Sequence, residues 1–334
     1  MFGRLTVGWL VATLLVGPVV SVDAHRGAMP IGFSVHVVAD HRVVDPHRHV
    51  SSGSIGRSMP RLAPQAAGRT STGGSPPIAM APKALISGSA VFGQGTSFPG
   101  LAAGCPGCEP PDPWIGVSPT QIVQVVNTTV RISDRTGTKI NEFAMGAIFS
   151  EPANQYEDTD PHIVWDAAAG RWIATAISFD ASCAAGHLYV SVSRTADANG
   201  SWNTNRWDYP GEVPDYPMLG YSTDKVAVGI NRYALDPLAP GCWSSYNGAS
   251  LLVADLAPLL SGATVSSNET TEDPTVTTWQ PAKELTGDTT IYAVRDTTNG
   301  NADDVGQVRR LEFGAGKILL PHRPRHALGE FPIL

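Results

Sequence analysis

Groups of short β-rich runs recur along this chain, and this recurrence limits the folds that are open to it. The clearest group has runs at 160–166, 171–176, 187–193 and 202–207, separated by turn residues such as those at 167–170. Four consecutive runs of this length predict an antiparallel meander. A single meander cannot bury both of its faces, so the fold needs similar units beside it.

The chain supplies such units at a spacing of roughly 50 to 65 residues, which is typical of propeller blades with four strands each. The units begin at Asp112, Asp160, Asp215 and Pro281, and the first three place an acidic residue one or two positions before a proline. We therefore predict an all-β protein, a β-propeller of four-stranded antiparallel blades, with about four or five blades. A β-sandwich is the alternative, although sandwich strands do not usually repeat such a start.

The N-terminus has the pattern of a secretory signal peptide over residues 1–24. Arg4 gives a basic start, residues 5–20 form an apolar run, and small residues precede a cleavage site after Ala24. A retained membrane anchor is the alternative. We predict a secreted, extracellular protein with no membrane span after cleavage.

The rest of the chain divides by composition. Residues 25–82 are rich in Pro, Gly, Ser and His, which predicts a disordered leader. The propeller domain is expected over residues 83–320 and an irregular tail over 321–334. The whole chain has a formal net charge of −7, which argues against nucleic acid as a partner because phosphate binding needs a basic surface. A glycan or a cell-surface protein is the expected partner.

The chain has four cysteines, which in an exported protein predict disulfides: Cys105, Cys108, Cys183 and Cys242. Four cysteines allow three connectivities. A zinc site would need a second cysteine pair of the Cys105–Cys108 kind, and there is none. In a propeller, Cys183 and Cys242 fall in loops of neighbouring blades on one face. A Cys183–Cys242 bond with a local Cys105–Cys108 bond is therefore the expected pairing.

One turn sequence carries a family resemblance. Residues 195–202 read Thr-Ala-Asp-Ala-Asn-Gly-Ser-Trp, which resembles the Asp box of sialidase-like propellers. The wider pattern over 108–255 resembles a group of secreted bacterial propellers. The resemblance implies a turn between the third and fourth strands of a blade, with a structural role for Asp197. Sialidases also use an Arg-Ile-Pro motif, and this chain lacks it.

The candidate functional residues follow from the propeller. Its first strands line the central channel, so three acidic residues are expected around one mouth: Asp112, Asp160 and Asp215. Paired carboxyl groups can catalyse glycoside hydrolysis. Aromatic rings can stack on sugars, and the candidate ligand-binding residues are Trp207, Tyr209 and Tyr216.

Two other interpretations of the acidic residues remain open. They can bind a cation such as calcium through oxygen ligands, or they can cap strand starts by hydrogen bonding to nearby backbone. The nearest glutamates that could serve as a catalytic acid are Glu157 and Glu212. Because neither is matched to the aspartates, the sequence favours a binding module for a glycan or protein over an enzyme. No cofactor or metal is predicted, and calcium is the alternative.

Overall fold

The computed structural model describes a large part of the chain, all of it within one compact unit, Gly32–Leu334. The described residues are 33–37, 40–47, 97–102, 111–149, 159–297, 307–314 and 317–319. Several predictions lie outside them: the signal peptide, most of the leader, Cys105, Cys108, Glu157 and the tail 321–334. In the ranges just given, no helix is long and apolar enough to span a bilayer.

The described elements are almost all strands. The strands are β1 (Phe33–Val37), β2 (Asp40–Val44), β3 (Trp114–Val117), β4 (Gln121–Val126), β5 (Thr129–Asp134), β6 (Lys139–Ala144), β7 (Thr159–Asp166), β8 (Arg171–Phe179), β9 (Ala185–Ser193), β10 (Trp202–Pro210), β11 (Glu212–Tyr221), β12 (Lys225–Leu235), β13 (Trp243–Asp255), β14 (Ser266–Thr270), β15 (Val276–Pro281), β16 (Ile291–Thr297), β17 (Gln307–Gly314) and β18 (Lys317–Leu319). The short helices are α1 (Gly146–Phe149), α2 (Leu256–Ser261) and a 3-10 turn at Pro240–Cys242.

The strands pair as four successive antiparallel meanders. Blade 1 is β3–β6, blade 2 is β7–β10, blade 3 is β11–β14 and blade 4 is β15–β18. The first strand of each blade contacts the first strand of the next, so that β3 meets β7, β7 meets β11 and β11 meets β15. Sheets that share an inner row of first strands are the blades of a propeller, and the predicted fold class is confirmed.

The blades pack face to face through apolar side chains. Ile163 and Trp172 of blade 2 belong to a buried cluster with Val123 and Ile132 of blade 1. A second cluster joins blades 2 and 3 and includes Ile177, Leu188 and Val228. Successive side chains of a strand point to opposite faces of the sheet, and both faces of a blade between two neighbours are buried. The strands of such a blade are therefore apolar along almost their whole length, as β8 is.

The leader prediction is wrong for residues 33–37 and 40–44. β1 pairs with β14 and β2 pairs with β10, so they are fifth strands on the outer edges of blades 3 and 2. Residues 33–37 alternate apolar Phe and Val with Ser and His, the period of a strand that pairs with a sheet edge. The leader around these residues is polar, so the short alternation did not stand out as a strand in the sequence.

The boundary between blades 3 and 4 also differs from the prediction. Residues 275–279 were expected in the third unit, with the fourth starting at Pro281, but β15 pairs with β16 and opens blade 4. The fourth strand of blade 3 is β14, whose sequence is Ser-Ser-Asn-Glu-Thr. Its polar side chains at Ser267 and Glu269 are buried, because they hydrogen-bond inside the protein. Sequence hydropathy therefore gave no strand signal there.

The predicted Cys183–Cys242 disulfide is confirmed, with a Cα–Cα distance of 5.4 Å. Cys183 lies in the turn after β8, and Cys242 lies just before β13. Thr159 pairs with Ile177 and Asp215 pairs with Asn231, so both cysteines lie beyond the ends of the blades at which β7 and β11 begin. We call this the pocket side, because the candidate site lies there.

Candidate functional site

The first strand of every blade begins with the same backbone kink on the pocket side. The residue at the kink has a positive φ in each case: Asp112 (45°), Asp160 (52°), Tyr216 (53°) and Thr278 (44°). In blades 2, 3 and 4 the register with the next strand shifts at this point. Positive φ is uncommon outside glycine, and bulges of this type re-aim side chains near functional sites.

Side chains of the preceding blade hold these kinks in place by accepting their backbone N–H groups. The pairs are Asp160 N–H to Asn127 Oδ1 (2.9 Å), Tyr216 N–H to Asp160 Oδ2 (3.2 Å) and Thr278 N–H to Asn231 Oδ1 (2.8 Å). Each blade therefore positions the first strand of the next one. The strained conformation persists because the neighbouring blade supplies the hydrogen bond.

The three predicted aspartates come together at the channel mouth. The Asp112 carboxyl accepts a hydrogen bond from Asn127 Nδ2 at 2.7 Å and also hydrogen-bonds the Asp160 carboxyl. The Asp215 carboxyl also hydrogen-bonds Asp160. Asp160 is thus the central member of a chain of three carboxyl groups.

This crowding changes the protonation of the two outer carboxyls. Burial, followed by the negative charge of Asp160, raises the pKa of Asp112 to about 6. The same two causes raise the pKa of Asp215 well above its ordinary value. Asp215 is half-buried as a whole residue, but its carboxyl group lies deep. The cluster therefore retains protons at pH values where isolated aspartates have lost theirs.

The repeat predicted from the acidic residues is only partly regular. Asp112 and Asp160 occupy the kink, but in blade 3 the kink residue is Tyr216, and Asp215 comes one residue earlier. The carboxyl of Asp215 therefore approaches Asp160 from a different register. Asp215 looked equivalent to Asp112 and Asp160 in the sequence because a proline, Pro217, follows it closely.

An open pocket of about 230 Å³ lies at this mouth. It is lined by Asp112, Pro113, Trp114, Asp160, His162 and Tyr216. Trp114 stacks on His162 with ring centroids 3.8 Å apart, and Tyr216 meets His162 edge-on at 6.5 Å. Tyr216 is 41% exposed, so its ring is available to a ligand.

Two of the predicted ligand-binding aromatics are elsewhere. Trp207 is 2% exposed and donates its indole N–H to Ser267, and Tyr209 is 3% exposed and donates its hydroxyl to Glu269. Both pack between blades 2 and 3, so neither offers a ring face to a ligand at the surface. Of the three, the structure brings only Tyr216 to the pocket.

Glu212, the second glutamate considered as a catalytic acid, lies on the pocket side, but its carboxylate binds other side chains. Its carboxylate forms an ion pair with Arg232 and accepts a hydrogen bond from Asn247 Nδ2 at 2.5 Å. Arg232 also pairs with the buried Glu269 at 2.9 Å and with Glu272 at 3.3 Å. This charged group stands beside the carboxyl chain rather than in it.

Sequence reasoning missed His162, Trp114 and Lys283. His162 is 2% exposed, and burial together with the charge of Lys283 lowers the pKa of His162 to about 3, so its imidazole is uncharged. The Lys283 Nζ atom lies 5.1 Å from the centroid of the Trp114 ring, in reach of a cation–π interaction. A signal was present for two of them, because Trp114 and His162 both follow an Asp-Pro pair.

The turn at 195–202 lies at the opposite end of blade 2, between β9 and β10. Asp197 Oδ1 accepts hydrogen bonds from the Asn199 backbone N–H at 2.9 Å and from Gln121 Nε2 at 2.7 Å. Trp202 is fully buried and donates its indole N–H to the Ala198 carbonyl. Asp197 thus fastens the turn and blade 1 together.

A metal site is not evident in the described parts of the chain. No three His, Cys, Asp or Glu side chains in those parts are grouped as ligands of one ion. Calcium stays a prediction without an assigned site.

No protein-family model matches the chain, and no curated protein matches it. Similar solved structures include an exo-1,5-alpha-L-arabinanase from a bovine ruminal metagenomic library, with 11% identity over 64% of this chain and 97% of that one. An arabinanase of Bacillus subtilis (13% identity, 60% and 94% covered) and a GH43 endo-arabinanase from Bacillus licheniformis (13%, 61% and 94%) are also similar. The TM-score is 0.26 for each. The fold assignment rests on the strand pairing and first-strand contacts of the chain itself.

Proposed function

We propose that this protein is a carbohydrate-active hydrolase that cleaves glycosidic bonds at the channel-mouth pocket. The observation that carries the proposal is the presence of two carboxyl groups on the wall of one open pocket: Asp112, whose pKa is raised to about 6 by burial and by its neighbour, and Asp160. Glycoside hydrolysis uses one carboxylic acid and one carboxylate beside the scissile bond.

Each residue has a role that follows from its surroundings. Asp112, holding a proton near pH 6, donates it to the leaving-group oxygen. Asp160 acts as the carboxylate that activates water or attacks the sugar, and it is oriented by the Tyr216 backbone N–H. Asp215, whose pKa burial raises well above its ordinary value, hydrogen-bonds Asp160. The exposed ring of Tyr216 offers an apolar face to a sugar.

The second candidate is a glycan-binding module without hydrolysis. It is favoured by the direct contact between the Asp112 and Asp160 carboxyls, since hydrolases hold the two groups roughly 5 to 10 Å apart. A binding module needs no such gap. In this case the carboxyl chain orients sugar hydroxyls through hydrogen bonds, and a cell-surface glycan or glycoprotein is the proposed partner.

One experiment separates the two candidates. The protein is assayed for reducing-sugar release on arabinan, xylan, galactan and aryl glycosides, and for binding to the same polymers. For the hydrolase we expect turnover of at least one substrate, and a loss of about 10²- to 10⁴-fold in kcat for Asp160→Asn with binding retained. Asp255→Asn, at an exposed residue whose side chain makes no cap hydrogen bond, is the matched control.

The outcomes are distinct. Binding without turnover shows that the protein is a glycan-binding module. If the protein neither binds nor hydrolyses any of these carbohydrates, a carbohydrate function at this pocket is refuted. Turnover that survives Asp160→Asn unchanged shows that another part of the molecule carries the chemistry.

We also propose that the protein is exported and that residues 195–202 form a sialidase-like Asp box. The Cys183–Cys242 disulfide supports an oxidising compartment. The Asp197 hydrogen bonds and the buried Trp202 support the Asp-box assignment as a structural turn. Neither feature bears on sialidase activity.

A further inference from the structure

Three aromatic rings cross the pocket-side tip of blade 3, and we call them the aromatic strip: Trp243, Tyr233 and Tyr246. We propose that the aromatic strip binds a polysaccharide chain beyond the carboxyl pocket, so that the natural ligand is a polymer rather than a short glycoside. This inference rests on the carbohydrate function proposed above, and it adds a second binding region to it.

The rings form a continuous series. The Trp243 and Tyr233 centroids are 5.4 Å apart, and the Tyr233 and Tyr246 centroids are 5.2 Å apart. All three residues are half-buried, so each combines packing against the protein with a solvent-facing part. Phe179 of blade 2 meets Trp243 at 6.2 Å, and the Tyr246 hydroxyl donates to the Val276 carbonyl of blade 4. The strip therefore spans the tip of blade 3 from one neighbouring blade to the other.

The middle ring of the strip, Tyr233, lies near the backbone of Asp215, the residue whose carboxyl hydrogen-bonds the proposed catalytic Asp160. Tyr233 pairs with Val213 in β11, two residues before Asp215. Burial, followed by the charge of Asp215, raises the pKa of the Tyr233 phenol, and burial followed by smaller effects of Tyr233, Asp273 and Asp215 raises the pKa of the Tyr246 phenol. The strip and the pocket residue Tyr216 thus lie at the same end of blade 3, where we place the path of a sugar chain that extends beyond the pocket.

Polar side chains flank the rings. Asn247 directly follows Tyr246, and its side-chain amide donates to Glu212. Glu272 reaches the same Arg232 and keeps part of its side chain exposed. Sites for sugars combine aromatic faces, which pack on C–H groups, with planar polar side chains that hydrogen-bond hydroxyls. The strip has both.

The strip is also held rigid. Cys242 immediately precedes Trp243 and is bonded to Cys183, so the first ring is attached to a cross-linked turn. Rigid aromatic side chains bind at low conformational cost, because little freedom is lost when the ligand arrives.

The test compares polymer and small-substrate behaviour in Tyr233→Ala. Affinity for soluble arabinan, xylan and galactan is measured by affinity electrophoresis, and hydrolysis of aryl glycosides is measured in parallel. We expect Tyr233→Ala to weaken binding of the preferred polymer about tenfold, the effect of losing one stacking contact. Turnover of a small aryl glycoside should stay unchanged. Tyr233→Phe keeps the ring and should bind the polymer like the parent.

The control is Tyr292→Ala, which removes a ring that is 37% exposed on blade 4, away from the strip. If Tyr233→Ala does not fold, the change of Trp243 fluorescence on addition of polymer to the parent gives the same answer, with Trp243→Phe identifying the signal. Polymer affinity unchanged in Tyr233→Ala, or a polymer that leaves Trp243 fluorescence unaltered, overturns the inference while leaving the pocket proposal intact. A parent that hydrolyses an aryl glycoside but binds no polymer overturns only this inference, and a parent that neither binds a polymer nor hydrolyses any glycoside overturns both.

Discussion

The three carboxyl groups at the channel mouth are close enough to compete for protons. Asp112 and Asp215 each hydrogen-bond Asp160, and its negative charge opposes their ionisation. Like charges in contact cannot all ionise without cost, so one folded arrangement supplies both a proton donor and a carboxylate. The protonation pattern is therefore a property of the cluster rather than of any one aspartate.

This arrangement predicts a pH dependence of stability. The pKa of Asp112 is raised from 3.8 in the unfolded chain to about 6 in the folded protein, so the folded state holds the proton more tightly. The stabilisation is complete below about pH 4 and is lost as pH rises through 6. Asp112→Asn cannot lose this proton, so its melting temperature should fall less than that of the parent between pH 4 and pH 7.

The difference at pH 7 should be on the order of 1 kcal/mol in favour of Asp112→Asn, because the half-exposed group is partly screened by solvent. Calorimetry across this pH range measures it, with Asp255→Asn as the control. Parallel curves for the parent and Asp112→Asn would show that Asp112 ionises normally in the folded protein.

Single residues of the site differ in how far the sequence reveals them. Asp112, Asp160 and Asp215 could be placed at the channel mouth because each lies one or two residues before a proline at the start of a strand. Trp207 and Tyr209 could not be excluded from sequence, since their burial depends on β11–β14 packing against blade 2. Lys283 reaches Trp114 from blade 4, a contact that no local pattern encodes.

At the scale of elements, neighbouring blades approach closely where a glycine replaces a side chain. A Cβ atom on Gly229 of β12 would lie 1.9 Å from the Trp279 carbonyl oxygen of β15. The obstacle is backbone rather than a flexible side chain, so the two blades would have to separate. This contact fixes the distance between the first two strands of blade 3 and the first strand of blade 4.

We therefore expect Gly229→Ala to destabilise the protein by about 3 kcal/mol, near the upper part of the range for overpacking. Chemical denaturation measures the change. Gly100→Ala is the matched control, because its Cβ would meet only the end of the Gln124 side chain at 3.3 Å. An equal, small effect of both substitutions would mean that blades 3 and 4 are not in tight contact at this point.

Most strands of blades 1 and 2 could be predicted, since their apolar residues and turn signals are regular. β14 could not, because its buried side chains are polar and are satisfied only by partners from other strands, such as Trp207 and Ser250. β1 and β2 were missed because an edge strand needs little apolar surface of its own. Their pairing is decided by the sheets that they join.

At the scale of the whole molecule, β1 and β2 bind two neighbouring blades in succession. β1 covers the edge of blade 3 at β14, and β2 covers the edge of blade 2 at β10. Asp40 adds ion pairs to Arg42 and, at 3.8 Å, to Arg206 of β10. Without these strands, two sheet edges would present unpaired backbone groups to other chains.

A chain that begins at residue 48 should therefore be less stable than one that begins at Gly32, by on the order of 2 to 3 kcal/mol from lost backbone hydrogen bonds. Denaturant unfolding measures this difference, and light scattering should show more self-association of the shorter chain. Identical unfolding curves and scattering for the two chains would show that β1 and β2 are dispensable additions.

The disulfide between Cys183 and Cys242 has a mechanical consequence for the propeller. Blade 2 contributes Asp160 and His162 to the pocket, and blade 3 contributes Tyr216. A covalent bond on the pocket side limits how far blades 2 and 3 can separate in thermal fluctuations. Any opening that admits a bulky molecule to the channel must then occur at a different seam, where blade 2 meets blade 1 or blade 3 meets blade 4.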